Sequence, residues 1–413
     1  MKLKTRFLLV AFGVIFFLII TPVLILFALG FKIDFINKSL VKTGTIVVQT
    51  KPTHAQIFLD NVKQKSLSPA TIRFLLPKDY VIRIEKQDYQ SWTKRLSVKS
   101  RLATWANEDR EFITLFYSSP KFIKNFPAQF ASISKDKKEL LLVSDSKISL
   151  LGINSADLKP LTGIDIKIPI AKISWQNGED SFNYLSKLKT DNFSALQLNK
   201  IKKAETDGKV SALILDGRLY YLEASLTLNQ ITDKVTDFTI DNNDIWFIKD
   251  NTLQKYNTDS ANSETIIENL PLAANTKIIR TSKYIFLQLD NALYMVNGAL
   301  QKIYDRVDDA YWADETSELV MWNKNEILLF DPQKLETNLI LRSSSQVFAP
   351  QLNAYSGYIF FMNEGKIKAI ELDGRDHRNI YTIADAGESF VLSKDSKELF
   401  VEKDKQIEVL EIR

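Results

Sequence analysis

Two histidines, His54 and His377, are the only imidazoles among 413 residues, and cysteine is absent. A Ser–His–Asp arrangement would have to use one of them, yet neither stands near the glycines of a nucleophile elbow. His54 falls in a turn, and His377 lies in Asp373-Gly374-Arg375-Asp376-His377-Arg378, an inter-strand loop. Both read as exposed loop histidines. The missing cysteines remove disulfides, thiol nucleophiles, iron–sulfur clusters and cysteine zinc sites together. Carboxylate chemistry survives, because a glycosidase needs only two acids facing each other across a sugar. Asp308, Asp309, Asp314 and Glu315 supply loop candidates, although loop carboxylates are usually solvated turn residues. Asp241-Asn242-Asn243-Asp244 offers side-chain oxygens to calcium, but it lacks the longer ligand spacing of an EF-hand and reads as a polar turn. No catalytic, metal or cofactor site is assigned from the sequence.

The elements that would position such residues begin with an anchor. Residues 7–31 carry no charge and are mostly Leu, Ile, Val and Phe. At about 1.5 Å per residue this run crosses a hydrocarbon core of roughly 30 Å. Bilayer interior offers no partner to backbone polar groups, so the run must be helical, and Pro22 is tolerable there. A tail of residues 1–6 holds Lys2, Lys4 and Arg6, while Lys32, Lys38 and Lys42 follow the span, partly offset by Asp34. That near-tie is tipped by the free α-amino group and the short tail, which puts the body on the extracytoplasmic side of a cell membrane. The rival is a cleaved signal with Ala28 and Gly30 at the cut, but a signal's apolar region runs only ~7–15 residues.

Beyond the anchor the composition is that of a globular body, 45% hydrophobic with a net charge of +4. Lysine outnumbers arginine and no basic run is interleaved with aromatics, which excludes a nucleic-acid reader.

Residues 42–100 alternate as short strands broken by Pro, Asn and Asp, the pattern of a small antiparallel sandwich of five or six strands. Asp60-Asn61 suits a type I′ hairpin turn, since both residues tolerate positive φ. Tyr80, Tyr89 and Trp92 read as half-buried sandwich aromatics, with an exposed sticky patch as the alternative. Gly44, Pro52 with Ala55, Asp60-Asn61, Ser68-Pro69, Pro77 with Tyr80, and Asp88-Tyr89 stand in a characteristic order. In that order the segment resembles the PEGA domain, a small β-sandwich of bacterial surface and membrane proteins. Glycines of the family pattern are replaced here by His54, Asn61, Lys78 and Asp88. The resemblance implies a spacer or binding module without chemistry of its own.

Residues 112–413 repeat. Ser134-Lys135-Asp136-Lys137 with the strand after it returns as Ser393-Lys394-Asp395-Ser396. Weaker copies of the unit, a polar turn and then a buried strand, start near Asp241, Thr281, Glu315 and Tyr355. A period of roughly 35–40 residues equals four strands, which is one propeller blade, and such units bury their faces only by stacking in a ring. Seven blades are expected, with eight as the alternative, because residues 181–233 hold too many strands for one blade and too few for two. The strand in 112–117 is expected to complete the last blade and abolish the open edges. The Ser-x-Asp turns and Ile370-Glu371-Leu372-Asp373-Gly374 resemble the repeats of TolB-type and WD-type propellers, which informs the fold alone. Trp175, Trp246, Trp312 and Trp322 fall in or beside these strands, where packing is the default; one or two are candidates for the axial mouth, where propellers bind ligands.

The sequence thus predicts an all-β body, a sandwich and a propeller, behind one transmembrane helix. The expected function is a membrane-anchored scaffold or binding protein of the bacterial cell envelope. The sandwich serves as stalk and the propeller as recognition surface for an envelope protein, a peptide or a glycan. An envelope enzyme acting on polysaccharide is the alternative.

Overall fold

The computed structural model describes residues 3–34, 39–108, 111–134, 138–144, 147–155, 157–161, 173–175, 200–206, 210–222 and 228–413. Among the described residues a single helix, Leu3–Ala28, contains Pro22 and leads the chain. Its stretch Leu9–Ala28 has a mean hydropathy of 3.0 and buries none of its residues in the body. The helix ends in a left-handed glycine, Gly30 at φ 80°, the usual stop because no Cβ opposes that conformation. A hairpin follows, Phe31–Asp34 paired with Ser39–Lys42.

Seven strands then form the sandwich. One sheet pairs Gly44–Val48 with Ala70–Leu75 and Ala103–Trp105; the other runs Val62–Leu67, Gln56–Leu59, Asp79–Glu85, Trp92–Ser97. Side chains alternate in and out along Asp79–Glu85 and Trp92–Ser97, as a sheet with one packed face requires. Ile46, Val48, Ile57, Ile82, Ile84 and Trp92 fill the core, which also takes in Ala106, Ile113 and Leu115. Of the four residues standing in for family glycines, His54, Asn61 and Asp88 do adopt positive φ, with Asp60 beside them. Lys78 does not.

Seven further sheets follow in chain order. Blade 1 spans residues 129–160, blade 2 173–232, blade 3 235–267, blade 4 276–304, blade 5 309–342 and blade 6 347–385; blade 7 combines 389–411 with Lys121–Phe126. Five blades and the completed seventh have four strands, and blade 2 has a fifth, Ile173–Trp175, lying parallel to Ile201–Thr206. The crowded region 181–233 therefore holds one described blade, and residues 176–199 lie outside the described residues. Each hydrophobic cluster joins two consecutive blades: 1 to 2, 2 to 3, 3 to 4, 4 to 5, 5 to 6, 6 to 7, and 7 back to 1. That cycle is the signature of a closed ring. Within one strand the period of two serves both neighbours, with Leu141 packed toward blade 2 and Leu140 and Leu142 toward blade 7. Second strands such as Ser211–Leu215 are buried throughout, whereas last strands such as Asn262–Ile267 are largely exposed. Each blade is therefore wet at its rim.

Polar latches repeat between blades. Lys203 Nζ reaches Asp237 Oδ1 at 2.9 Å and the Phe238 carbonyl, and Lys277 reaches Asp309 Oδ1 and the Ala310 carbonyl in the same way. The closing strand differs from the expected one. Lys121–Phe126 pairs with Gln406–Glu411, while Ile113–Thr114 of the 112–117 segment pairs with Thr50–Lys51 of the sandwich. Alternation marks both segments as strands but does not choose their partners.

Candidate functional site

In each blade the turns after the first and third strands lie at one end of the strands, so around the ring they form one face. The serines of the repeat motif build these turns. Ser393 N donates to the Glu398 carbonyl, its Oγ accepts the Glu398 N–H at 2.9 Å, and Ser396 takes the left-handed position at φ 55°. Ser134 Oγ accepts the N–H groups of Lys138 and Glu139 likewise.

A cavity of about 150 Å³ opens on this face, lined by Lys138 and Asn154 of blade 1, Trp312, Asp314 and Glu315 of blade 5, Gln351 and Asn353 of blade 6, and Lys394 of blade 7. Four consecutive blades meet only where their inner strands converge, so this is the axial mouth. Trp312 is half-buried and stacks on Phe286, centroids 5.7 Å apart. Glu315 also lines a second, wider hollow of about 610 Å³ between blades 5 and 6, together with Asp331, Lys334 and Arg378. Burial alone would raise the Asp331 carboxyl, but Lys334 and the N–H groups of Gln333 and Lys334 hold it below its ordinary value.

The sequence candidates separate accordingly. Asp314 and Glu315 lie at the mouth; Asp308 and Asp309 lie at the other end of strand Asp309–Ala313, where Asp309 pairs with Lys277. Among the four tryptophans Trp312 lines the cavity. Trp175 is fully buried and donates to Ser132 Oγ at 3.1 Å, Trp246 lies under Arg280, and Trp322 packs against Tyr311. The Asp241–Asp244 carboxylates are spent on neighbours, Asp241 on Arg280 and Asp244 on Asn257. His54 is exposed with Nδ1 3.0 Å from Thr53 Oγ1. His377 is exposed beside Asp376 at 2.8 Å.

The same face grips the sandwich, a junction that no local pattern announces. Lys94 is fully buried; its Nζ lies 2.9 Å from Glu371 Oε2 and 3.5 Å from Asp373 Oδ2, and donates to the Asp373 carbonyl at 2.8 Å. Trp92 Nε1 donates to Glu371 Oε1 at 2.9 Å, which disposes of the sticky-patch reading for that residue. Tyr80 is buried, and Tyr89 packs on Tyr117 with centroids 4.6 Å apart. Arg375 holds Asp373 and donates to the Trp105 and Ala106 carbonyls. Burial raises the Asp373 carboxyl, but Arg375 and Lys94 together outweigh it and leave the group below its ordinary 3.8. Asp376 accepts the Arg95 N–H at 3.0 Å, which lowers its carboxyl as well. Phe116 is buried among Tyr358, Phe360 and Tyr381. Lys51 completes the seam, donating to Tyr355 Oη at 2.7 Å and lying 3.9 Å from the Phe112 ring centroid.

No curated protein matches the chain. Among solved structures, one in "Crystal Structure of Mitotic Checkpoint Complex" aligns with 72% of this chain and 92% of its own at 10% identity and a TM-score of 0.43. Another, "KlHsv2 with loop 6CD replaced by a Gly-Ser linker", aligns with 49% of this chain and 74% of its own at 13% identity and a TM-score of 0.37. The family comparison falls on the small sandwich, whose residues 43–110 match the family model of the PEGA domain.

Proposed function

We propose that the protein is a membrane-anchored binding scaffold of the cell envelope, spanning the membrane once and holding its body outside. The axial mouth takes a segment of another protein. The carrying observation is the lining of that cavity, where Trp312 stands with two carboxylates from blade 5 and two lysines from blades 1 and 7. An aromatic flanked by both charge signs suits a peptide, which presents apolar, cationic and anionic groups together. A neutral glycan would make no use of the charge of these groups. The wide polar hollow continuing from Glu315 extends the surface toward the rim.

The enzyme reading keeps one supporting observation, an aromatic beside Asp314 and Glu315. Both acids come from one turn, however, and so do not face each other across the cavity as glycoside hydrolysis requires.

Photo-crosslinking in intact membranes tests the proposal, with the photoreactive group at Trp312 or, as control, at Lys324 on the opposite face. A discrete protein adduct from Trp312 alone supports the binding role. Equal or absent labelling at both positions overturns it. Polysaccharide cleavage lost in Asp314→Asn or Glu315→Gln would replace it with the enzyme reading.

A further inference from the structure

We infer that the helix-proximal end of the sandwich is a second membrane contact, a basic and apolar collar that rests on anionic phospholipid headgroups. The inference depends on the spanning role proposed for the helix. It comes from what surrounds the helix end. Phe27, in the last turn of the apolar stretch, stacks on Phe74 of the sandwich with centroids 5.1 Å apart. Thr43 donates from both its N–H and its hydroxyl to the Gly30 carbonyl, each at 2.8 Å. Arg101 N donates to the Thr43 carbonyl and Thr45 N to the Leu102 carbonyl. Gly44 lies so close beneath this loop that a Cβ would strike the Lys99 carbonyl and the Val98 side chain. The end of the span, the strand pair at Gly44 and Leu75 and the 99–102 loop are therefore one connected surface.

That surface has the wrong composition for open water. Ile33, Leu40, Phe74 and Leu102 are exposed together at this end. Lys32, Arg73, Lys99 and Arg101 are exposed around them, with no ion-pair partner among the described residues. A span ending at residue 28 puts Phe74 at the boundary between hydrocarbon and headgroups. Apolar side chains at that depth gain burial, and unpaired cations beside them meet lipid phosphates. Anionic lipid is the occupant favoured by this charge, since the four cations outnumber the one carboxylate, Asp34, of the hairpin Phe31–Asp34. The collar fixes how the body leans on the bilayer, and with it the distance of the axial mouth from the membrane.

Because the chain lacks cysteine, Leu102→Cys gives a single site for an environment-sensitive fluorophore on the full chain in lipid nanodiscs. In equal parts phosphatidylglycerol and phosphatidylcholine, its emission is expected to shift to shorter wavelength relative to phosphatidylcholine alone. That shift should be lost in Arg73→Gln/Lys99→Gln/Arg101→Gln, and a label at Lys324→Cys should not move. Incorporation with Leu102 as wet as Lys324 in both lipids overturns the collar alone, as does a shift that ignores lipid charge. Failure to incorporate at all overturns the spanning reading on which the collar rests.

Discussion

The small sandwich has two joints, and they are built from different materials. At its joint with the propeller, a fully buried lysine and an indole N–H of the sandwich meet two carboxylates of blade 6, beside a three-sided aromatic socket in which that blade holds Phe116. Toward the helix it offers a glycine close-packed under a loop, a threonine bonded to a helix-end carbonyl and one ring stack. Buried charge is expensive unless every partner is in place, so the first joint has one geometry and tolerates little motion. The expected stalk is thus a fixed bracket. Whatever freedom the body has relative to the N-terminal helix resides at the helix joint.

Four perturbations would break or sharpen this contrast. Lys94→Met leaves the Glu371 carboxylate without its cation in the interface, while Arg375 still holds Asp373, and should cost about 3–5 kcal/mol in denaturant unfolding. Adding Glu371→Gln should recover part of that loss; full stability of the single variant would show that the joint is wet. Gly44→Ala forces the 98–102 loop away from the first strand and should cost roughly 1–3 kcal/mol, with the propeller joint unaffected by hydrogen exchange. Acid should weaken the propeller joint by a smaller amount. Asp373 and Asp376 both lie below 3.8 when folded, so their contribution is complete above that value and is lost as pH falls through the depressed ones. Stability that declines already between pH 7 and 5 would assign the effect elsewhere. Phe74→Ala at the helix joint should cost no more than about 0.5–1.5 kcal/mol in detergent, and a larger loss would mean that this joint is also rigid.

Local features were readable where local physics decides them. The Asp60-Asn61 turn, the left-handed His54 and Asp88 and the Ser134 and Ser393 turns follow from what those residues do to their own backbone. The ring follows from a period that leaves blades unable to bury both faces alone. Lys94 meeting Glu371 was not readable, because a lysine on an alternating strand looks solvent-facing until the partner domain covers it. The candidate mouth was half readable. Trp312, Asp314 and Glu315 carry no mark distinguishing them from Trp322, Asp308 and Asp309, since strand direction in the ring decides which end faces the mouth.

Pairing of Lys121–Phe126 with Gln406–Glu411 also sets a timetable. A ribosome delivers the first of these strands long before the second, so the ring stays open until Gln406–Glu411 has been made. Until then one strand edge waits without its partner, and the hydrophobic seam between blades 7 and 1 lies bare. A chain cut short before Gln406 would carry the N-terminal helix and the bracket but no closed ring. Such a product would leave that strand edge open to pairing with another chain.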